Sequence, residues 1–343
     1  MKKIKRKTAF ILALLMTLSL CACEFDIRPG KEEENLGAYS HQFEWEDDKP
    51  DSIVLTQEEI LEYVNESSSL WEAAQRLVGN DIILYKDALG DFAYIPVNTD
   101  LPLSDYDWDS LERLLKSYKE IEYRVDNQAV SIKGIDVSAY QGDIDWKAVA
   151  GDGVKYAFIR LGYRGYSSGK LVLDECFEEN ISGALQNGIA VGVYFVTQAL
   201  SGAEAEEEAQ FVLDTIAPYK VTWPIVLDIE ATGGSHPRTE SLTAAERTDY
   251  TIVFCDTIKN AGYTPMLYSN IGWYINQLEL DRLAAYDKWF AQYFNRPFFP
   301  YEFQVWQYTS SGRVKGIEGN VDLNISMYDY GTGEYVPYKD STE

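Results

Sequence analysis

Between residues 132 and 326, short apolar stretches alternate with stretches of helical period. The strand candidates are IKGIDVS (132–138), YAFIRLGYR (156–164), AVGVYFVTQ (190–198), PIVLDIEA (224–231), TPMLYSN (264–270), KWFAQYF (288–294), FQVWQYT (303–309) and NVDLNIS (320–326). Between the earlier ones lie DWKAVAG, DECFEENISGALQNG, GAEAEEEAQFVLDTIAPY, TAAERTDYTIVFCDTIKNAG and GWYINQLELDRL, all helix-like. Gly188 and Gly262 stand where a helix commonly ends on glycine. Eight apolar strands with intervening helices predict an α/β fold, a TIM-like (β/α) barrel whose helices thin out after the later strands. The rival is a doubly wound open sheet, which usually carries a Gly-rich phosphate loop, and the sequence has none.

Residues 53–130 read as a small N-terminal α+β module. LTQEEILEYVNES pairs Thr56 with Glu59 as a capping box, and SSSLWEAAQRLVG reads as a short helix closed by Gly79. DIILYKDALGDFAYIPV reads as a hairpin with Leu89, Gly90 and Asp91 in its turn, and SDYDWDSLERLLKSYKEI as another helix. No catalytic constellation stands out here, so the expected role is packing or spacing. Residues 23–52 are polar and aperiodic, a flexible acidic tether, and residues 331–343 read as a C-terminal tail.

The first 22 residues join a basic MKKIKRK to an apolar AFILALLMTLSL, too short to span a bilayer comfortably. Leu20-Cys21-Ala22-Cys23 resembles the bacterial lipoprotein signal, which implies cleavage after Ala22 and lipidation of Cys23. The expectation is a secreted protein anchored to the outer face of the bacterial membrane, with ordinary secretion as the alternative.

The net charge is −25, from 55 acidic and 30 basic residues, which argues against a nucleic-acid partner. His41 and His236 are the only histidines, so a His-based triad or zinc site has too little material and carboxylate chemistry has ample. No metal or organic cofactor is implied, and a monomer is expected. Cys176 and Cys255 sit in apolar, helix-like settings and read as buried free thiols.

Within IVLDIEATG (225–233), Asp228 and Glu230 would point to one face of a strand, roughly 6.5–7 Å apart. Two like charges that close keep one acid protonated, which a general acid needs. A solvated strand end is the alternative in so acidic a chain. Other polar residues also fall toward one end of the predicted strands: Asp136, Asp322, Tyr194, Gln198, Tyr268, Asn270, Gln292, Tyr293, Trp306, Gln307 and Tyr308. On barrel closure strands one and eight are neighbours, so Asp136 and Asp322 would meet, with strand four across the mouth. Four carboxylates and aromatic side chains around one cleft suit glycoside hydrolysis.

GIDVSAYQGDIDW (134–146), AFIRLGYRGY (157–166), GVYFVTQA (192–199), WPIVLDIE (223–230), LYSN (267–270), WFAQY (289–293) and VWQYTSSGRVKGIEGNVDLN (305–324) resemble the bacterial lysozymes of glycoside hydrolase family 25. The resemblance covers roughly 134–328 in the family's motif order. It implies a β-1,4-N-acetylmuramidase acting on peptidoglycan glycan strands with retention. Glu230 then matches the general acid/base, Asp228 the residue orienting the substrate acetamido group, and Asp136 and Asp322 two further acidic positions. Tyr194, Tyr268, Tyr293 and Trp306 are the substrate-contact candidates. One departure is that Tyr194 is followed by Phe195 and Val196, where many relatives carry a His-Phe pair or further aromatics. A direct aspartate nucleophile, with Asp322 the candidate, stays open beside the acetamido route. So do a catalytically silent glycan-binding lipoprotein and a hydrolase of a related acetamido-sugar polymer. Arg160 reads as an ion-pair partner for a carboxylate, Asp174 and Asn180 as structural, and the EAEEEA run (204–209) as a solvated helix face.

Overall fold

A computed structural model describes residues 27–29, 69–78, 82–86, 92–114, 120–231 and 237–335. The signal segment, Cys23, most of the tether, the helix expected at 55–67 and His236 lie outside the described residues.

Strand β1 (Ile27–Pro29) is followed by α1 (Leu70–Val78), the hairpin β2 (Ile82–Lys86) and β3 (Phe92–Pro96), then β4 (Leu111–Arg113), β5 (Ile121–Val125) and β6 (Gln128–Ala129). The barrel then runs β7 (Ile132–Val137), α2 (Trp146–Gly151), β8 (Tyr156–Arg164), β9 (Leu171–Leu173), α3 (Phe177–Gln186), β10 (Ala190–Val196), α4 (Gly202–Ile216), β11 (Ile225–Asp228) and α5 (Ala244–Asn260). It finishes with β12 (Pro265–Asn270), α6 (Ile271–Asn276), β13 (Asp287–Ala291), β14 (Val305–Gly312) and β15 (Val321–Ser326), followed by the small ribbon β16 (Tyr328–Asp329) and β17 (Glu334–Tyr335).

The ring closes in the order β7-β8-β10-β11-β12-β13-β14-β15, with β15 back against β7 and β9 an extra strand on β8. Six of the eight pairings around the ring are parallel, and the other two are not, because β15 runs antiparallel to both β14 and β7. The last strand therefore departs from the parallel TIM-like expectation. No helix stands between β14 and β15, and a short connection can return the chain only in the opposite direction.

Alternation along the strands divides the interior into two cores. Tyr156, Phe158, Val226, Met266, Trp289 and Val305 point into the barrel. Ile135, Ile159, Val193, Leu227, Leu267 and Trp306 point outward, toward the surrounding shell. Aromatic stacking fills the barrel: Tyr156 on Trp223 at 3.8 Å and Phe158 on Trp289 at 4.5 Å. Gly134 makes room for this, since a Cβ there would sit 2.1 Å from the Tyr156 ring. The helices start on caps that the sequence supplies. Asp145 accepts from Ala148 N–H at α2, and Thr243 and Glu246 form a capping box at α5. Gly188 and Gly262 follow α3 and α5 with φ of 74° and 91°. The segment GWYINQLELDRL breaks into α6 and a separate 3-10 turn, Leu280–Leu283, rather than one helix.

The N-terminal region differs more from expectation. The helix α1 and the β2–β3 hairpin form where predicted. The described residues of SDYDWDSLERLLKSYKEI do not make the expected helix: a 3-10 turn (Trp108–Ser110) leads into β4, whose Leu111 pairs with Tyr123 of β5. Sheet pairing and burial of Tyr123 override the helical period there. The β5–β6 hairpin turns on Asp126 and Asn127, both at positive φ (50° and 64°), a turn signal present in the sequence. Ile27–Pro29, assigned to the tether, adds a parallel strand to the open edge of β3. Glu334–Tyr335, assigned to the tail, pairs with β16.

Candidate active site

One rim of the barrel gathers the acidic residues. Asp136 is the fifth residue of β7, and Asp322 the second of β15; because β15 runs backwards, the two are direct cross-strand partners. Directly opposed side chains in such a pair sit about 5 Å apart at Cβ. Asp228 ends β11 and is 4% exposed. Glu230 lies just beyond the strand, on a bend, so the two acids do not share a regular strand. The ladder nonetheless continues between them, because Ile229 N–H donates to the Tyr268 carbonyl at 3.0 Å and Ser269 Oγ donates to the Ile229 carbonyl at 2.5 Å.

A network of amides holds Asp136. Its Oδ2 accepts from Gln307 Nε2 at 2.9 Å and from Asn324 Nδ2 at 2.8 Å. Each amide is locked from behind. Trp289 Nε1 donates to Asn324 Oδ1 at 2.8 Å, and the hydroxyls of Tyr268 and Tyr293 donate to Gln307 Oε1 at 2.9 and 2.8 Å. With their oxygens so engaged, both amides can only present N–H to the carboxylate.

Burial dominates the protonation of all four acids. It pushes Asp136 well above the usual carboxylate range, helped by Asp322 and then Glu230, against the two amide donors. Asp228 is also held well above that range by burial, then by Glu230 and Asp136, with Arg160 opposing. Burial and the neighbouring Asp322 raise Glu230, and burial raises Asp322 to about 6. The Oδ1 atom of Asp228 is buried without a hydrogen-bond partner. With all four raised and close together, ionising one makes the next harder to ionise, so the rim keeps protons more readily than isolated carboxyls do.

The aromatic candidates divide. Tyr194 and Tyr268 pack on top of the barrel's inner core, edge-on to Trp289 at 6.2 and 4.5 Å, and Tyr293 is 50% exposed. Trp306 does not reach the opening. It lies between the inward Val305 and Gln307, so alternation points it outward; it is fully buried and donates its indole N–H to the Gln292 carbonyl at 2.8 Å. Arg160 pairs with Asp174 at 2.7 Å rather than with one of the four acids, and lies over Tyr140 and Tyr163. Asp174 is structural as read, accepting also from the N–H groups of Ala139 and Cys176. The acidic run on α4 is not a solvated face throughout. Glu208 is fully buried against Arg164 at 2.7 Å, Glu207 joins the same guanidinium, and Glu204 pairs with Arg238. Cys255 is a buried free thiol; Cys176 is free but half-buried.

A small pocket of about 30 Å³, open to solvent, is lined by Glu230, Thr197, Gln198, Arg247, Tyr250 and Trp273 among others, and by none of the other three acids. Glu230 thus stands between the carboxylate rim and this pocket. No cluster able to hold a metal occurs among the described residues. Of the two residues that fix Asp136, the sequence places Gln307 among the polar residues of the rim without a role, and Asn324 is the one left out. Their signal was parity: both are inward-facing residues at the level of the acids.

A model of the family described as "Glycosyl hydrolases family 25" matches residues 135–317, more than half of the chain. The protein YegX of Escherichia coli (strain K12) is 30% identical over 206 residues, 57% of this chain and 69% of YegX. The autolytic lysozyme of Clostridium acetobutylicum is 26% identical over 194 residues, 56% of this chain and 55% of the lysozyme. Among solved structures, the modular autolysin LytC of Streptococcus pneumoniae, in complex with a synthetic peptidoglycan ligand, aligns with TM-score 0.51 and 25% identity. That alignment covers 72% of this chain and 57% of LytC. The spore cortex lytic enzyme SleM of Clostridium perfringens shares the fold at TM-score 0.52 and 22% identity, over 62% of this chain and 72% of SleM. The chain spans little more than half the length of the lysozyme and the autolysin it matches.

Proposed function

Because the chain belongs to glycosyl hydrolase family 25, we propose that its acidic rim cleaves the β-1,4 bond between N-acetylmuramic acid and N-acetylglucosamine in peptidoglycan. The observation that carries this reading is the meeting of Asp136, Asp228, Glu230 and Asp322 at one rim, each with its proton affinity raised by burial. Glu230 is the general acid: it is raised in proton affinity yet still partly exposed, so a sugar oxygen can reach it. It protonates the glycosidic oxygen as the bond from C1 breaks. The acetamido carbonyl oxygen of the same sugar attacks C1, giving an oxazolinium ring, and Asp228 holds the acetamido N–H. Glu230, now ionised, takes a proton from the water that opens the ring, so the anomeric configuration is retained. The unpartnered Oδ1 of Asp228 supports this division of labour, since it leaves an oxygen free for the acetamido group. Asp136, its Oδ2 fixed by two amide donors, is a rigid part of the rim beside Asp322. Tyr194, Tyr268 and Tyr293 contact the sugars.

Glu230→Gln removes the acid and keeps the shape. It should lower the release of reducing ends from purified peptidoglycan by at least about a thousandfold, with an unchanged melting temperature. Parent-level release from that variant would remove Glu230 from its role.

The signal-like segment and Cys23 support secretion and a lipid anchor on the outer face of the membrane. No helix among the described residues is long and apolar enough to cross a membrane. Cys23→Ser should move the protein from the membrane fraction to the medium, and retention in the membrane fraction would contradict the anchor.

A further inference from the structure

The family match begins at residue 135, yet residues ahead of it grip one loop of the barrel along its length. That loop, 292–304, joins β13 to β14 and begins with the two residues that border the rim, Gln292 and Tyr293. At its start, Asn295 N–H donates to Glu72 Oε1 at 3.0 Å, and Trp71 meets the Phe294 ring edge-on at 5.2 Å. Arg296 pairs with Asp109. Further on, Ser104 N–H donates to the Pro300 carbonyl at 2.8 Å, and Glu302 N–H to the Pro102 carbonyl at 3.0 Å. Trp108 stacks on Phe303 at 5.6 Å with the rings 3° apart.

Glu72 makes the hydrogen bond of this grip that lies closest in sequence to Tyr293, beside the Trp71–Phe294 contact. It lies in the first turn of α1, is fully buried, and its helix is tied to β2 through Gln75, which bonds both the Ile82 carbonyl and the Leu84 N–H at 2.8 Å. One residue, Phe294, separates its contact at Asn295 from Tyr293. The Tyr293 hydroxyl in turn donates to Gln307, and Gln307 donates to Asp136. A carboxylate buried against a loop N–H is costly to leave there unless the contact fixes something.

We propose that residues 69–129 are a positioning element for the cleft, acting through Glu72 on the 292–304 loop to hold Tyr293 over the acidic rim. This rests on the function proposed above. Glu72 touches no reacting atom; it sets where Tyr293 stands, and through Gln307 which way the Asp136 network faces. The module is then part of the binding surface rather than a spacer.

The test compares the full-length parent with Glu72→Ala, Glu72→Gln, Tyr293→Phe and the Glu72→Ala/Tyr293→Phe double variant. With soluble peptidoglycan oligomers, Glu72→Ala should raise KM about tenfold with little change in kcat, the order expected for one lost buried acceptor. Glu72→Gln keeps an acceptor oxygen and should restore KM. The double variant should be no worse than the poorer single, because both act through one hydroxyl. Hydrogen exchange over 292–304 needs no turnover. It should speed up in Glu72→Ala and not in Glu72→Gln, which separates failure of this inference from failure of the proposed reaction. Unchanged exchange in Glu72→Ala, or fully additive KM effects in the double variant, would overturn the proposal.

Discussion

Asp322 shows how a single carboxyl links stability to chemistry. Burial raises it to about 6 in the folded chain, whereas the unfolded chain releases that proton near pH 4. The folded state therefore holds the extra proton, and stability falls as pH rises from about 4 through about 6. Asp322→Asn removes the penalty. It should stabilise the protein at pH 7 by on the order of 2 kcal/mol and by little at pH 4. Urea unfolding at the two pH values measures this, and an equal gain at both would contradict the linkage. The identity of the acids was legible in the sequence because a barrel concentrates polar residues at one rim. Their pairing was legible for a different reason than the one that holds. Asp322 comes early in its strand, and only the reversal of β15 brings it level with Asp136. Trp306 sits late in its strand but out of parity with the rim: its neighbours Val305 and Gln307 face inward, so it faces outward.

At the scale of elements, the strands were the legible part, since apolar runs bounded by caps and glycines leave few alternatives. The elements that escaped were those decided by partners distant in sequence. LERLLK has a helical period, but Leu111, Glu112 and Arg113 pair with Tyr123, Glu122 and Ile121. The acidic run on α4 reads as a wet face until Arg164, more than forty residues away, arrives to neutralise Glu208. Glu208 still sits at about 7, because burial outweighs the help of Thr197 and Arg164. The packing of β7 against β8 gives a sharper test. A methyl at Gly134 would enter the Tyr156 ring, itself stacked on Trp223 with no room to retreat. Gly134→Ala should destabilise by about 3 kcal/mol, the upper range for overpacking a core. A denaturation midpoint within error of the parent's would mean that the barrel centre yields more easily than its packing suggests.

For the whole molecule, the module and the barrel share one apolar core. Ile83, Tyr85, Ile121 and Tyr123 of the module belong to the same cluster as Phe290, Phe303 and Trp306 of the barrel. Trp108 covers both Phe303 and Trp306. Two parts joined this way unfold together. Thermal unfolding should show one transition by both calorimetry and tryptophan fluorescence. Trp108→Ala should lower its midpoint by several degrees, consistent with loss of about 3 kcal/mol of buried aromatic packing. Two separated transitions in the parent would show that the halves are independent.

The reversed final strand has one more consequence. Ile132, where the barrel begins, is the direct partner of Ser326, where its last strand ends, and both lie at the far end from Asp136 and Asp322. Chain leaving the barrel in either direction departs from behind. Neither exit from the barrel has to cross the opening that the acids surround.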